Sequence, residues 1–131
     1  SDQQIAVRMV EYIERLESLM SDVSRYTQGK KETNLHEEIH DQYKRLKDEI
    51  RADAHYLELS RNERNDVTEV YDGFFRPSIM EAAAFGFTSP INGRVDYKFY
   101  SAIEEAHYKL TKYFSLKRWR SIADGEPSFN A

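Results

Sequence analysis

The stretch His36-Glu37-Glu38-Ile39-His40 contains residue types that bind catalytic metal ions. As His-Glu-x-x-His it matches the helical motif of zinc hydrolases, in which two histidines one turn apart bind the metal and the Glu activates water. Glu37-x-x-His40 also matches half of a carboxylate-bridged di-iron motif, and Glu104-Glu105-Ala106-His107 supplies a second copy. His36, His40 and His107 are therefore the candidate metal ligands.

Helical geometry disfavours both metal interpretations. At about 100° per residue, Glu37 points almost opposite the apolar stripe of its own helix, and Glu104 also falls outside the apolar face. A di-metal site in a bundle needs its carboxylates directed inward. The zinc interpretation lacks a sheet and a third ligand placed by any pattern. We therefore predict no metal and no cofactor, with Asn34 and Glu37 forming a capping box at a helix start.

Other catalytic patterns are missing from the sequence. There is no Cys and hence no thiolate chemistry, and the five glycines are isolated and form no phosphate-binding loop. Ser, His and Asp are present, but no nucleophile elbow selects a triad from them. The sequence favours a non-catalytic function without deciding the question.

Composition indicates one folded domain. A chain of 131 residues with 40% apolar residues can bury a substantial core, and we expect the domain to span residues 1–123 and to precede a flexible tail, 124–131. The net charge of −4 disfavours broad nucleic-acid binding. No apolar run approaches the roughly 20 residues that cross a bilayer. We expect a soluble, cytoplasmic protein that binds no membrane.

Apolar residues recur at helical spacing along most of the chain, and strand-like alternation is weak. The pattern predicts an all-α, antiparallel bundle of four to five helices that begins with a long N-terminal hairpin. The first helix covers about residues 3–27 and ends at Gly29, and the second begins near Asn34. A third begins at a second capping box, Ser60 with Glu63, and breaks near Pro77.

The remaining chain is predicted to hold a short helix over residues 79–85, a loop over 86–94 and one long last helix. That last helix carries an apolar stripe of Phe99, Ile103, Ala106, Leu110, Tyr113 and Phe114.

The basic run Lys117-Arg118-Trp119-Arg120 has two interpretations. Cations near a helix C-terminus stabilise the helix dipole, which would explain the run without any partner. Alternatively the run is a docking patch, because Arg and Trp are frequent energetic anchors of protein interfaces. The docking interpretation requires an acidic surface on the partner or on a second copy of the chain.

Aromatic residues are concentrated between Tyr71 and Trp119, and Tyr97, Tyr100 and Tyr108 spread around the last helix beyond one stripe. That spread indicates cover on more than one side, by the bundle or by a second copy. We expect a regulatory interaction module that binds a protein partner and forms a homodimer. The alternatives are a metal-dependent bundle protein using His36, His40 and His107, and a small-molecule sensor with an aromatic pocket near Phe85 and Phe87.

Overall fold

A computed structural model describes residues 2–29, 33–63, 95, 97–111 and 115–126. Within these ranges the chain forms four α-helices and no strand: α1 (Asp2–Gln28), α2 (Thr33–Glu63), α3 (Tyr97–Thr111) and α4 (Leu116–Ala123). The all-α prediction is confirmed. The predicted break near Pro77, the helix over 79–85, the loop over 86–94 and the pocket near Phe85 and Phe87 lie outside the described residues.

Helix α1 is the centre of the packing, because each of the other three helices contacts it. Its apolar stripe has helical spacing in the sequence, and Met9, Ile13, Leu16 and Val23 are buried while Ile5 and Met20 pack partly against the core. Tyr12 and Leu19 are buried as well, although they lie beside that stripe. A helix covered on several sides buries a wider arc than a helix with one packed face.

Helix α2 buries Ile39, Tyr43, Leu46 and Ile50 against the core. It begins at Thr33 and continues through Ser60 to Glu63. Both predicted capping boxes are therefore wrong, since Asn34 and Ser60 are helical residues and do not precede a helix. No Gly or Pro interrupts residues 33–63, so nothing in the local sequence stops the helix at Ser60.

The predicted long last helix is two helices. Helix α3 ends at Thr111, and Ser115 is the N-cap of α4, with its side chain accepting a hydrogen bond from the amide of Arg118 at 3.3 Å. Serine is a preferred N-cap residue because its hydroxyl oxygen satisfies an amide that the first helical turn leaves unpaired. This start signal lies within an apolar pattern that continues at helical spacing, so the pattern alone predicts one helix.

Helix α4 ends in a Schellman motif. The amide of Glu126 donates to the carbonyl of Ser121, and the amide of Gly125 donates to the carbonyl of Ile122, both at 3.0 Å. Gly125 has φ of 98°, a left-handed conformation that glycine adopts without steric cost. Residues 124–126 therefore form the C-terminal cap of α4.

The core of the described bundle combines residues from all four helices with Val95. Its largest fully buried side chains are Trp119, Tyr12, Phe99 and Met9. None of the helices in the described ranges is both long and apolar enough to cross a membrane.

Candidate functional site

A polar cluster joins α1 to α2. The guanidinium of Arg8 donates to the carboxylate of Asp53, with Nε 3.1 Å from Oδ2, and the hydroxyl of Tyr12 donates to the same oxygen. Burial raises the pKa of Tyr12, and the hydrogen bond to Asp53 raises it further because it favours the protonated phenol. The hydrogen bond to Asp53 likewise raises the pKa of Arg8.

A second ion pair lies further along the same two helices, where Arg15 contacts Glu49. Arg15 also lies 3.8 Å from Glu11, which in turn lies 3.5 Å from Arg8. These charges form one network whose members stabilise the contact between α1 and α2. The hydroxyl of buried Tyr12 is tolerated in this network because it has a hydrogen-bond partner, the carboxylate of Asp53.

A series of ring contacts connects α1, α2 and α3. The ring of Tyr26 lies 5.7 Å from that of His36, His36 lies 4.6 Å from His40, and His40 lies 5.0 Å from Phe99, measured between centroids. Phe99 also contacts Tyr43 at 5.2 Å. The two histidines of the His-Glu-x-x-His motif are therefore side by side, partly buried between aromatic rings.

The carboxylates that the motif needs for catalysis are directed elsewhere. Glu37 and Glu38 are exposed, as the helical wheel predicted for Glu37, and Glu104 is exposed on α3. Nδ1 of His36 is buried and has no hydrogen-bond partner. In the described part of the chain, no group of three or more His, Asp or Glu side chains is arranged to hold a metal ion.

His107 belongs to a different part of the bundle. Its Nε2 lies 3.1 Å from the carboxylate of Glu17, and the imidazole is partly buried. Glu17 and Tyr26, the α1 contacts of His107 and His36, are separated by about 13 Å along a helix rising 1.5 Å per residue. His36, His40 and His107 do not form one cluster.

The predicted docking patch is only partly on the surface. Trp119 is fully buried, and its indole Nε1 donates to the carbonyl oxygen of Leu110 at 3.1 Å. Its role as an exposed anchor is therefore wrong, because the aromatic ring completes the core between α3 and α4. Lys117 and Arg120 are exposed, Arg118 is partly buried, and Arg120 donates to Glu14 of α1 at 2.7 Å.

The outer face of α3 presents an aromatic residue to solvent. Tyr108 is 61% exposed and lies beside Glu104 and Glu105 in an open groove that Ser101, His107 and Thr111 also line. Tyr108 is one of the tyrosines that spread around this helix in the sequence, but it was not among the predicted site residues. Its position opposite the buried stripe was the available signal, because Phe99, Ile103, Ala106 and Leu110 define the inner face.

Comparison with known proteins assigns no family to this chain. No family model matches the sequence, and neither the curated proteins nor the solved structures contain a significant match. The function must therefore be inferred from the groove beside Tyr108 and from the ring contacts around His36 and His40.

Proposed function

We propose that this protein is a non-catalytic helical-bundle module that binds a protein partner and assembles as a homodimer through the outer face of α3. The observation that carries this proposal is the exposed Tyr108 in its acidic groove. Tyrosine supplies a large apolar ring with a polar end, and it is enriched at the centres of protein interfaces.

The proposal includes an antiparallel hairpin of α1 and α2 as the rigid scaffold. Three contacts support the hairpin: Arg8 with Asp53, Arg15 with Glu49, and Tyr26 with His36. Residues early in α1 meet residues late in α2, and residues late in α1 meet residues early in α2. A scaffold fixed in this way would hold the α3 surface in one orientation for binding.

Charge complementarity favours a second copy as the occupant of the groove. Glu104 and Glu105 give one side of α3 a negative charge, whereas Lys117 is exposed on the next helix and Arg118 follows it. A two-fold interface brings the same pair of surfaces together twice. The acidic groove of one copy would then receive Lys117 and Arg118 of the other, with Tyr108 between them.

The proposal is tested by measuring the mass of the full chain in solution before and after removal of the aromatic ring. We expect sedimentation equilibrium of the wild type to give about twice the chain mass of 15.5 kDa. Tyr108→Ser should weaken the dimer at least tenfold, because truncating a central interface anchor costs about 2 kcal/mol or more and about 1.4 kcal/mol is a factor of ten.

Val7 provides a matched control. It is the other large apolar residue with high exposure among the described residues, at 47%, and it lies on α1. Val7→Ser should leave the mass unchanged while removing a similar apolar group. A wild type that sediments as a monomer at all concentrations would overturn the homodimer, and equal effects of the two substitutions would overturn the role of Tyr108.

A further inference from the structure

We propose that His36 and His40 together bind one divalent transition-metal ion as two adjacent ligands, with water completing its coordination. The residues form a pair at i and i+4 on α2, with ring centroids 4.6 Å apart. Imidazole nitrogen is a good ligand for Cu²⁺, Ni²⁺ and Zn²⁺. This site differs from the catalytic motifs considered for the sequence because it uses no carboxylate.

The distance between the rings fits two ligands at a right angle. A metal bound at about 2.05 Å from each nitrogen lies about 3.2 Å from each ring centroid. Two such ligands at 90° place their centroids about 4.5 Å apart, whereas a tetrahedral angle requires about 5.2 Å. The observed 4.6 Å matches the right angle of octahedral or square-planar coordination.

Rotation about the Cβ–Cγ bond changes where the ring nitrogens of each histidine point. The two rings meet edge to face, at 71° between planes. The Cβ–Cγ bond of histidine points through the ring, so rotation about it changes the direction of the nitrogens and leaves the centroid nearly in place. Among the described residues Nδ1 of His36 has no hydrogen-bond partner, so turning this ring breaks no described hydrogen bond at that atom.

The surroundings favour a cation and hold the pair in position. Glu37, Glu38 and Asp41 are exposed next to the histidines along the chain, and Lys44 and Arg45 are exposed one turn further along α2. Three acids close to the pair raise the local concentration of divalent ions. Because i and i+4 residues are neighbours only while the helix is folded, metal binding should also stabilise the native state.

The test is calorimetric titration of the metal-stripped, untagged full chain with NiCl₂ near neutral pH. We expect one equivalent of Ni²⁺ per chain, tighter binding of Ni²⁺ than of Zn²⁺, and affinity reduced at least tenfold in His36→Gln and in His40→Gln. His107→Gln is the matched control and should bind as the wild type does, because His107 contacts Glu17.

A second measurement needs no variant and is unaffected if a substitution disturbs folding. Paramagnetic Ni²⁺ should broaden the imidazole NMR signals of His36 and His40 in the wild type while sparing those of His107. Unchanged binding in both single variants, or broadening of all histidines alike, would identify an adventitious ion only and overturn the site. Absence of Ni²⁺ binding in the wild type would overturn it as well.

Discussion

The indole Nε1 of Trp119 donates a hydrogen bond to the main-chain oxygen of Leu110, at 3.1 Å, within the buried core. Leu110 lies in the last turn of α3, where the helix leaves carbonyl groups without intrahelical partners. The tryptophan therefore satisfies a carbonyl at the end of one helix while fixing the next helix against it. This contact fixes α4 against the end of α3, and both helices pack on α1.

Replacement of Trp119 should destabilise the fold through both packing and hydrogen bonding. Trp119→Phe keeps an aromatic ring but removes the buried hydrogen bond to the Leu110 carbonyl, and we expect a loss of about 1–3 kcal/mol in the free energy of unfolding. Trp119→Ala should cost about 3–5 kcal/mol because it also opens a cavity. Urea denaturation measures both, with Lys117→Ala as an exposed control on the same helix. Equal stability of Trp119→Phe and the wild type would contradict the role of the hydrogen bond.

The Schellman motif at the end of α4 predicts that glycine is the most stabilising residue at position 125. Gly125→Ala should lower the free energy of unfolding by about 1 kcal/mol, because a Cβ is strained at φ of 98°. Gly125→Asn should cost less, since asparagine tolerates the left-handed region better than alanine does. Thermal denaturation of the two variants gives the order. A Gly125→Ala variant as stable as the wild type would show that the cap is not formed.

The contact between α1 and α2 should appear as coupling between Arg8 and Asp53. In a double-mutant cycle built from Arg8→Ala and Asp53→Ala, we expect an interaction energy of about 0.5–1 kcal/mol, because both side chains remain partly exposed to water. Coupling between Tyr12→Phe and Asp53→Ala should be larger, since Tyr12 is fully buried. Additive effects in both cycles would contradict the network.

Tyr43 should make the free energy of unfolding fall as the pH rises through the alkaline range. Burial raises the pKa of Tyr43 from 10.0 to about 12, so the unfolded chain loses this proton first. The stabilisation is fully present below pH 10 and is lost as pH rises toward 12, by on the order of 2 kcal/mol. Tyr43→Phe should lose less stability than the wild type over that interval. Parallel pH profiles for the two proteins would contradict this assignment.

Periodicity predicted much of the fold because the buried positions of α1, α2 and α3 follow helical spacing. The same pattern placed Glu37 and Glu104 outside the apolar faces of their helices, as the structure does. Both results depend on the position of a residue within its own helix. That information is local, and a single sequence contains it.

The wrong predictions concern tertiary contacts and the ends of helices. Trp119 next to three cations resembled an interface anchor, and only its contact with Leu110 reveals a core residue. Ser60 with Glu63 matched a cap although the helix continues through it. The side-by-side packing of His36 and His40 between Tyr26 and Phe99 depends on three helices. Local motifs carry no information about such tertiary neighbours.

The central claim is a homodimer in which the acidic groove beside Tyr108 receives Lys117 of the second copy. Its most direct test is the dimer dissociation constant, by sedimentation equilibrium, of Glu105→Lys, Lys117→Glu and the double variant. Each single reversal places like charges together and should weaken the dimer at least tenfold, whereas the double variant restores opposite charges and should recover most of the wild-type affinity. Additive weakening in the double variant, or a monomeric wild type, would contradict the account.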